Sequence, residues 1–166
     1  MLHQIRGLAA ALAVASVAFA PVAAGAMGSS SDDSSSSSKP EKSVVKEPGF
    51  YERGVAAVEA QDWSNAIVYM GKAINADPDN ADAYNYLGYA RRKSGDYQGA
   101  LDAYKVALDL NPEHKGAHEY IGQAHLEMGN VAEAEKHLAA LDSICTFGCA
   151  EYTSLKDAVS RAKGSS

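Results

Sequence analysis

Between residues 50 and 163 apolar side chains recur at helical spacing, with no sustained strand-like alternation. From Tyr97 to Leu110, the residues Ala100, Leu101, Tyr104, Ala107 and Leu108 fall on one stripe. In the preceding segment Tyr84, Leu87, Gly88 and Tyr89 predict another helix, ending near Ser94-Gly95. Gly95 can take the left-handed conformation that closes a helix, and Asp96 can cap the next one. Asn111-Pro112 stops the second helix. The N-terminal quarter reads differently. Leu8 to Phe19 is an unbroken run of apolar and small residues, and Gly28 to Ser38 holds eight serines in eleven residues.

A step of 34 residues superimposes the helical part on itself. Phe50, Tyr84 and His118 correspond, as do Gly54, Gly88 and Gly122. Trp63, Tyr97 and Val131 each follow an acidic or amide residue (Asp62, Asp96, Asn130). Ala66, Ala100 and Ala134 are all alanine, and Met70, Tyr104 and Leu138 are all bulky and apolar. Pro78 and Pro112 match, with Thr146 in the third place. Small residues at Gly88 and Ala100 let the two helices of a unit approach closely, where a bulky side chain would wedge them apart. The units are 47–80, 81–114 and 115–148. A further stripe of Tyr152, Leu155, Val159 and Ala162 predicts a last helix within 149–163.

This pattern resembles the tetratricopeptide repeat. The middle unit supplies Tyr84, Leu87, Gly88, Ala100, Tyr104 and Pro112, and departs with Arg91 where an aromatic is usual. The first unit has Arg53 for the expected leucine and Gln61 for the turn glycine. The third keeps Ile121, Gly122, Gly129, Ala134 and Leu138, but has His118 and His125 for aromatics. The resemblance covers about 102 residues and implies an all-α fold: a short right-handed α-solenoid of helix-turn-helix repeats, about seven helices with the cap.

It also implies that the first helix of each pair lines a concave groove that binds a peptide segment or helix of another protein. The groove set is then Tyr51 and Val55, then Asn85, Tyr89, Arg92 and Lys93, then Glu119, Gln123 and Glu127, with Tyr86 and Tyr120 either at the edge or packed between repeats. Tyr51, Asn85, Tyr89, Arg92, Lys93 and Gln123 are the partner-binding candidates. Asn85, Tyr89, Arg92 and Gln123 sit beside the packing residues Leu87, Gly88 and Ile121, so the fold is expected not to need them. Arg92 and Lys93 point to an acidic partner segment. Some relatives grip a terminal carboxylate with a Lys/Asn/Arg clamp. The corresponding sites here hold Tyr51, Val55, Tyr86, Gly116 and Tyr120, so that grip is not carried over.

Charge and composition narrow the classes. Fifteen Lys and Arg against 21 Asp and Glu give a formal net charge of -6, the wrong sign for a phosphate-tracking nucleic-acid binder. Two cysteines cannot form a four-thiolate zinc site. Cys145 and Cys149 are read first as a disulfide, which needs a turn that Gly148 can supply, because residues four apart on a continuous helix hold their Cβ atoms too far apart. A redox pair, a metal site and free thiols remain alternatives. His114, His118 and His125 recur at spacings of four and seven, but His118 and His125 occupy packing positions and no H-E-x-x-H motif accompanies them. No phosphate loop or G-x-S-x-G element is present, so no enzyme activity, metal or cofactor is implied.

The start of the chain reads as a secretory signal peptide, residues 1–26, with Arg6 before the apolar run and small residues around Ala24 and Ala26. Cleavage after Ala26, or after Ala24, would leave an exported protein, periplasmic or secreted, with no stable membrane span. Uncleaved, Leu8–Ala24 would be a short anchor. Residues 27–46 read as a Ser-rich flexible linker. The function expected is a non-catalytic scaffold or adaptor. The alternatives are a thiol-redox or metal-linked protein using Cys145 and Cys149, or a self-assembling structural subunit.

Overall fold

The computed structural model describes residues 48–164, and the expected signal peptide and linker lie outside them. Among the described residues there are seven helices: α1 (Phe50–Glu59), α2 (Trp63–Ala76), α3 (Ala81–Lys93), α4 (Tyr97–Leu110), α5 (Lys115–Glu127), α6 (Val131–Ile144) and α7 (Ala150–Gly164). No helix among them is long and apolar enough to cross a membrane.

Helices α2, α3, α4 and α5 each begin at a side-chain cap. Side chains of Asp62, Asn80 and Asp96 accept from backbone N–H groups three residues on, and the His114 ring Nδ1 does the same for α5. The first helix of each pair closes with the same reversal. Asp62 N–H donates to Ala57 O, Asp96 to Arg91 O and Asn130 to His125 O. The residue before each donor is left-handed: Gln61, Gly95 and Gly129, with φ of 58°, 89° and 80°. Gln61 thus adopts the conformation of the glycine it replaces.

The helices pack as antiparallel pairs, α1 with α2, α3 with α4 and α5 with α6. Helices α1, α3, α5 and α7 also touch one another in sequence, whereas α2, α4 and α6 do not. The first set therefore forms the inner, concave layer of a helical solenoid, and the second set is splayed on the outside. The core runs along the array. Met70, Leu87 and Ala103 join the first two units, and Tyr104 and Ile121 the next two. Leu141, Leu155 and Val159 close it against α7.

Glycine sets the spacing within pairs. A Cβ on Gly54 would meet Met70, and one on Gly88 would lie 2.5 Å from the ring of the fully buried Tyr104. The third unit breaks the period, because the residue facing Gly122 is Leu155 of α7, at 2.5 Å from such a Cβ, and not Leu138. Arg91, the departure from the aromatic pattern, donates from Nη1 to Gly99 O at 3.0 Å and so ties α3 to α4 by a polar route.

Cys145 and Cys149 are disulfide-bonded with Cα atoms 5.7 Å apart. The helix has ended by then, and Gly148 turns the chain at φ 83° with its N–H donating to Cys145 O. In a chain-entropy account so short a loop contributes roughly 2 kcal/mol. The staple joins the last repeat to α7. Phe147 stands at its tip, fully exposed.

Candidate functional site: the inner helical surface

Residues 85, 89 and 92 of α3 follow one another at helical spacing on the inner face, and α5 presents 119, 123 and 127 beside them. The structure brings these together, but not as a row of free contact residues. Tyr89 lies edge-on to Trp63 of the first unit, with ring centroids 5.9 Å apart, and against Tyr120 of the third at 4.8 Å. Tyr51 and Tyr86 form a similar pair at 6.0 Å. These aromatics bridge successive repeats, the tyrosines from the inner helices and Trp63 from the start of α2.

Arg92 corrects the expectation that the fold can dispense with it. It is 4% exposed, its guanidinium pairs with Glu127 through Nη1, and its Cζ lies 5.4 and 5.7 Å from the Tyr89 and Tyr120 rings. The reason is its register: one turn past Tyr89, it points between α3 and α5, where two aromatic faces and a carboxylate desolvate and hold it. Its charge is neutralised within the chain, which removes the main ground for expecting an acidic partner. The Tyr104 hydroxyl lies near it, and burial pushes that phenol's pKa upward against the pull of the Arg92 charge.

Asn85 is likewise buried, at 6% exposure, and its Oδ1 has no donor among the described residues. Its amide lies against the first turn of α5, where a Cβ on Gly116 would come within 3.1 Å of Nδ2. Lys93 stays exposed, its Nζ 5.7 Å from the Tyr89 ring centroid. Gln123 donates from Nε2 to Glu119 Oε1 at 2.8 Å, and Ser154 of α7 donates to the same oxygen at 2.6 Å. Burial raises the Glu119 pKa, the Ser154 bond opposes this, and the Glu151 carboxylate adds to it. Beside this network a cavity of about 310 Å³ opens between α5 and α7, lined by Gln123, Leu126, Glu127, Ser154, Ala158 and Arg161. Tyr51 and Tyr120 are both shifted upward to about 12, mainly by burial, and present neutral phenols at neutral pH.

The histidines form a cluster of a different kind. His118 Nε2 donates to Pro112 O at 2.9 Å, which leaves its Nδ1 to accept from His137 Nδ1 at 3.0 Å. The His125 ring stacks on His137 at 6.2 Å, with a buried Nδ1 that has no partner. His137 belongs to no recurrent spacing and emerges only when α6 packs on α5. No three His, Cys, Asp or Glu among the described residues are grouped to hold a metal. Burial, then His118 and His125, lower the His137 pKa to about 4, with Glu133 pulling the other way and Lys136 reinforcing the shift. Because the folded value lies below the unfolded one of about 6.5, the neutral ring stabilises the fold above pH 6.5, and that contribution is lost as pH falls towards 4. The melting temperature should therefore drop across this window, and less steeply in His137→Phe. Equal slopes would remove His137 as the cause.

Comparison with known proteins agrees with this architecture. The family model described as "Anaphase-promoting complex, cyclosome, subunit 3" matches residues 59–141, half of the chain. Among solved structures, the TPR2B domain of yeast Sti1, in complex with pHsp70, is 18% identical. That match covers 70% of this chain and 95% of that one, with a TM-score of 0.65. The type III secretion translocator chaperone SycD of Yersinia enterocolitica is 17% identical over 70% of this chain and 82% of its own, with a TM-score of 0.63. The second TPR domain of human RPAP3, in complex with an HSP70 peptide, is 20% identical over 69% and 92%, with a TM-score of 0.62. At such identities the likeness is one of fold. No curated protein matches by sequence. The repeat period, the paired helices and the family match converge: this chain is a tetratricopeptide repeat protein and belongs to the family that the matching model describes.

Proposed function

We propose that the protein is a non-catalytic interaction module that binds an extended segment or helix of another protein along the inner surface of α1, α3 and α5. The observation that carries this reading is Asn85, a buried amide on that surface whose Oδ1 has no hydrogen-bond donor among the described residues. An unsatisfied buried acceptor is costly, and a peptide N–H laid along the surface would satisfy it. The tyrosines around it offer contact area at low entropic cost, and the cavity between α5 and α7 offers room for a side chain. Related folds are known with peptides bound, among them PcrH with the chaperone binding region of PopD.

We place this activity outside the cytoplasm, in the periplasm or after secretion. The apolar run from Leu8 to Phe19 and the Cys145–Cys149 bond support that location.

The test is a pull-down from the exported fraction, followed by titration of the captured partner. Lys93→Ala and Gln123→Ala remove inner-surface groups that the core does not need. Each should weaken binding by roughly 1 kcal/mol or more while the melting temperature holds. Unchanged affinity for both would rule out the inner surface as the binding face.

A further inference from the structure

We infer that the inner surface around Glu119 recognises a cationic group of the bound segment: a lysine or arginine side chain, or an N-terminal amine. This rests on the binding face proposed above and names the chemistry that its C-terminal half takes. Glu119 is half-buried on α5, and both of its hydrogen bonds, from Ser154 and Gln123, go to Oε1. No Lys, Arg or His pairs with it among the described residues. Of the nearby carboxylates, Glu127 is engaged by Arg92 and Asp82 by the His114 ring, while Glu151 adds a second negative charge beside Glu119. Ser154 and Gln123 fix the Glu119 carboxylate in advance, so a ligand need not organise it. Arg92, already paired with Glu127, acts on Glu119 only from a distance, and a half-buried carboxylate with no ion pair of its own gains from a cation brought into contact with it.

Asn85 is an independent pointer to the same chemistry. Its Oδ1 is also an acceptor without a donor, and the side chain is more than nine-tenths buried. Its Nδ2 lies against Gly116, one turn before Glu119 on α5. A single ammonium carries three N–H donors and a guanidinium five, enough to serve more than one acceptor. The aromatic walls agree. Tyr89 and Tyr120 already hold one guanidinium, that of Arg92, and Lys93 leans on Tyr89 from outside. A terminal carboxylate would instead meet Glu119 and Glu151, at a surface where Arg92 is neutralised by Glu127 and the clamp positions hold tyrosine, valine and glycine.

The experiment uses two fluorescein-labelled peptides of equal length and identical uncharged framework, one with lysines where the other has glutamates. Each is titrated against the full chain by fluorescence anisotropy at physiological ionic strength. The lysine peptide should bind more tightly, and Glu119→Gln, which keeps shape and an acceptor oxygen, should weaken it about tenfold or more. Asp102→Asn, on the exposed side of α4, should change it little and so reports general attraction to an acidic protein. Glu119→Lys should reverse the preference towards the glutamate peptide, which keeps the test decisive if the glutamine variant melts early. The inference falls if the glutamate peptide binds wild type equally well, if Glu119→Gln leaves affinity unchanged, or if Asp102→Asn weakens binding as much. Loss of the natural partner in Lys93→Ala and Gln123→Ala, with Glu119→Gln unaffected, would leave the binding face standing and remove only its cationic preference.

Discussion

Gly88→Leu should lower the stability of the protein by on the order of 1–3 kcal/mol, whereas Gly71→Ala should raise it by about 0.4–1 kcal/mol. Both glycines lie inside helices, so intrinsic propensity alone favours replacing either. The surroundings decide the sign. At Gly88 even a Cβ would stand 2.5 Å from the Tyr104 ring, and Tyr104 is fully buried and cannot swing away without opening the α3–α4 contact. At Gly71 nothing lies within 4 Å of an added Cβ, so the helix gains without a clash. Thermal melts of the two variants beside wild type give the answer. A Gly88→Leu protein that melts like wild type would mean that α3 and α4 do not meet in this register.

The second large effect belongs to Arg92. Arg92→Ala should cost on the order of 2–4 kcal/mol, because it empties a desolvated slot between Tyr89 and Tyr120 and removes the partner of Glu127. Glu127→Gln should cost less, since its side chain is 39% exposed and water can replace part of what is lost. Arg92→Lys should not restore stability in full, because an ammonium lacks the planar fork that stacks between the two rings. Denaturant titration of the three variants would show this order. A neutral Arg92→Ala would make the burial of that side chain incidental.

These two residues also mark how far the sequence could be read. Gly88 was legible because a glycine recurs every 34 residues beside a bulky apolar position, and only close packing of two backbones makes both demands together. The three units follow from the same repetition, whereas the last helix was read from its own apolar stripe and the inner placement of α1, α3 and α5 came only with the resemblance to the repeat family. Arg92 was not legible as a core residue. Its inner-face position follows from the repeat, but its burial depends on Tyr120 and Glu127, which belong to the next unit. Gly122 was readable as a close-contact glycine, yet not its partner, because Leu155 comes from outside the periodic part. The cluster of His118, His125 and His137 has the same origin, two helices contributing to one contact that no single spacing records. In the candidate site, Gln123 and Tyr89 were expected on the groove through the resemblance to the repeat family. The bond from Ser154 to Glu119 joins elements that the repeat does not relate.

Leu155 also governs how this architecture can change in length. A duplicated unit inserted after residue 110, between α4 and α5, would find a compatible neighbour on each side, because every unit offers the next one the same inner and outer helix. A unit added after residue 144 would not. Leu155 already occupies the place on Gly122 that its own unit leaves to α7, and the Cys145–Cys149 staple fixes the start of α7 against the end of α6. Lineages that lengthen this array are therefore expected to grow from within, with the staple and α7 carried along unchanged as the terminal pair.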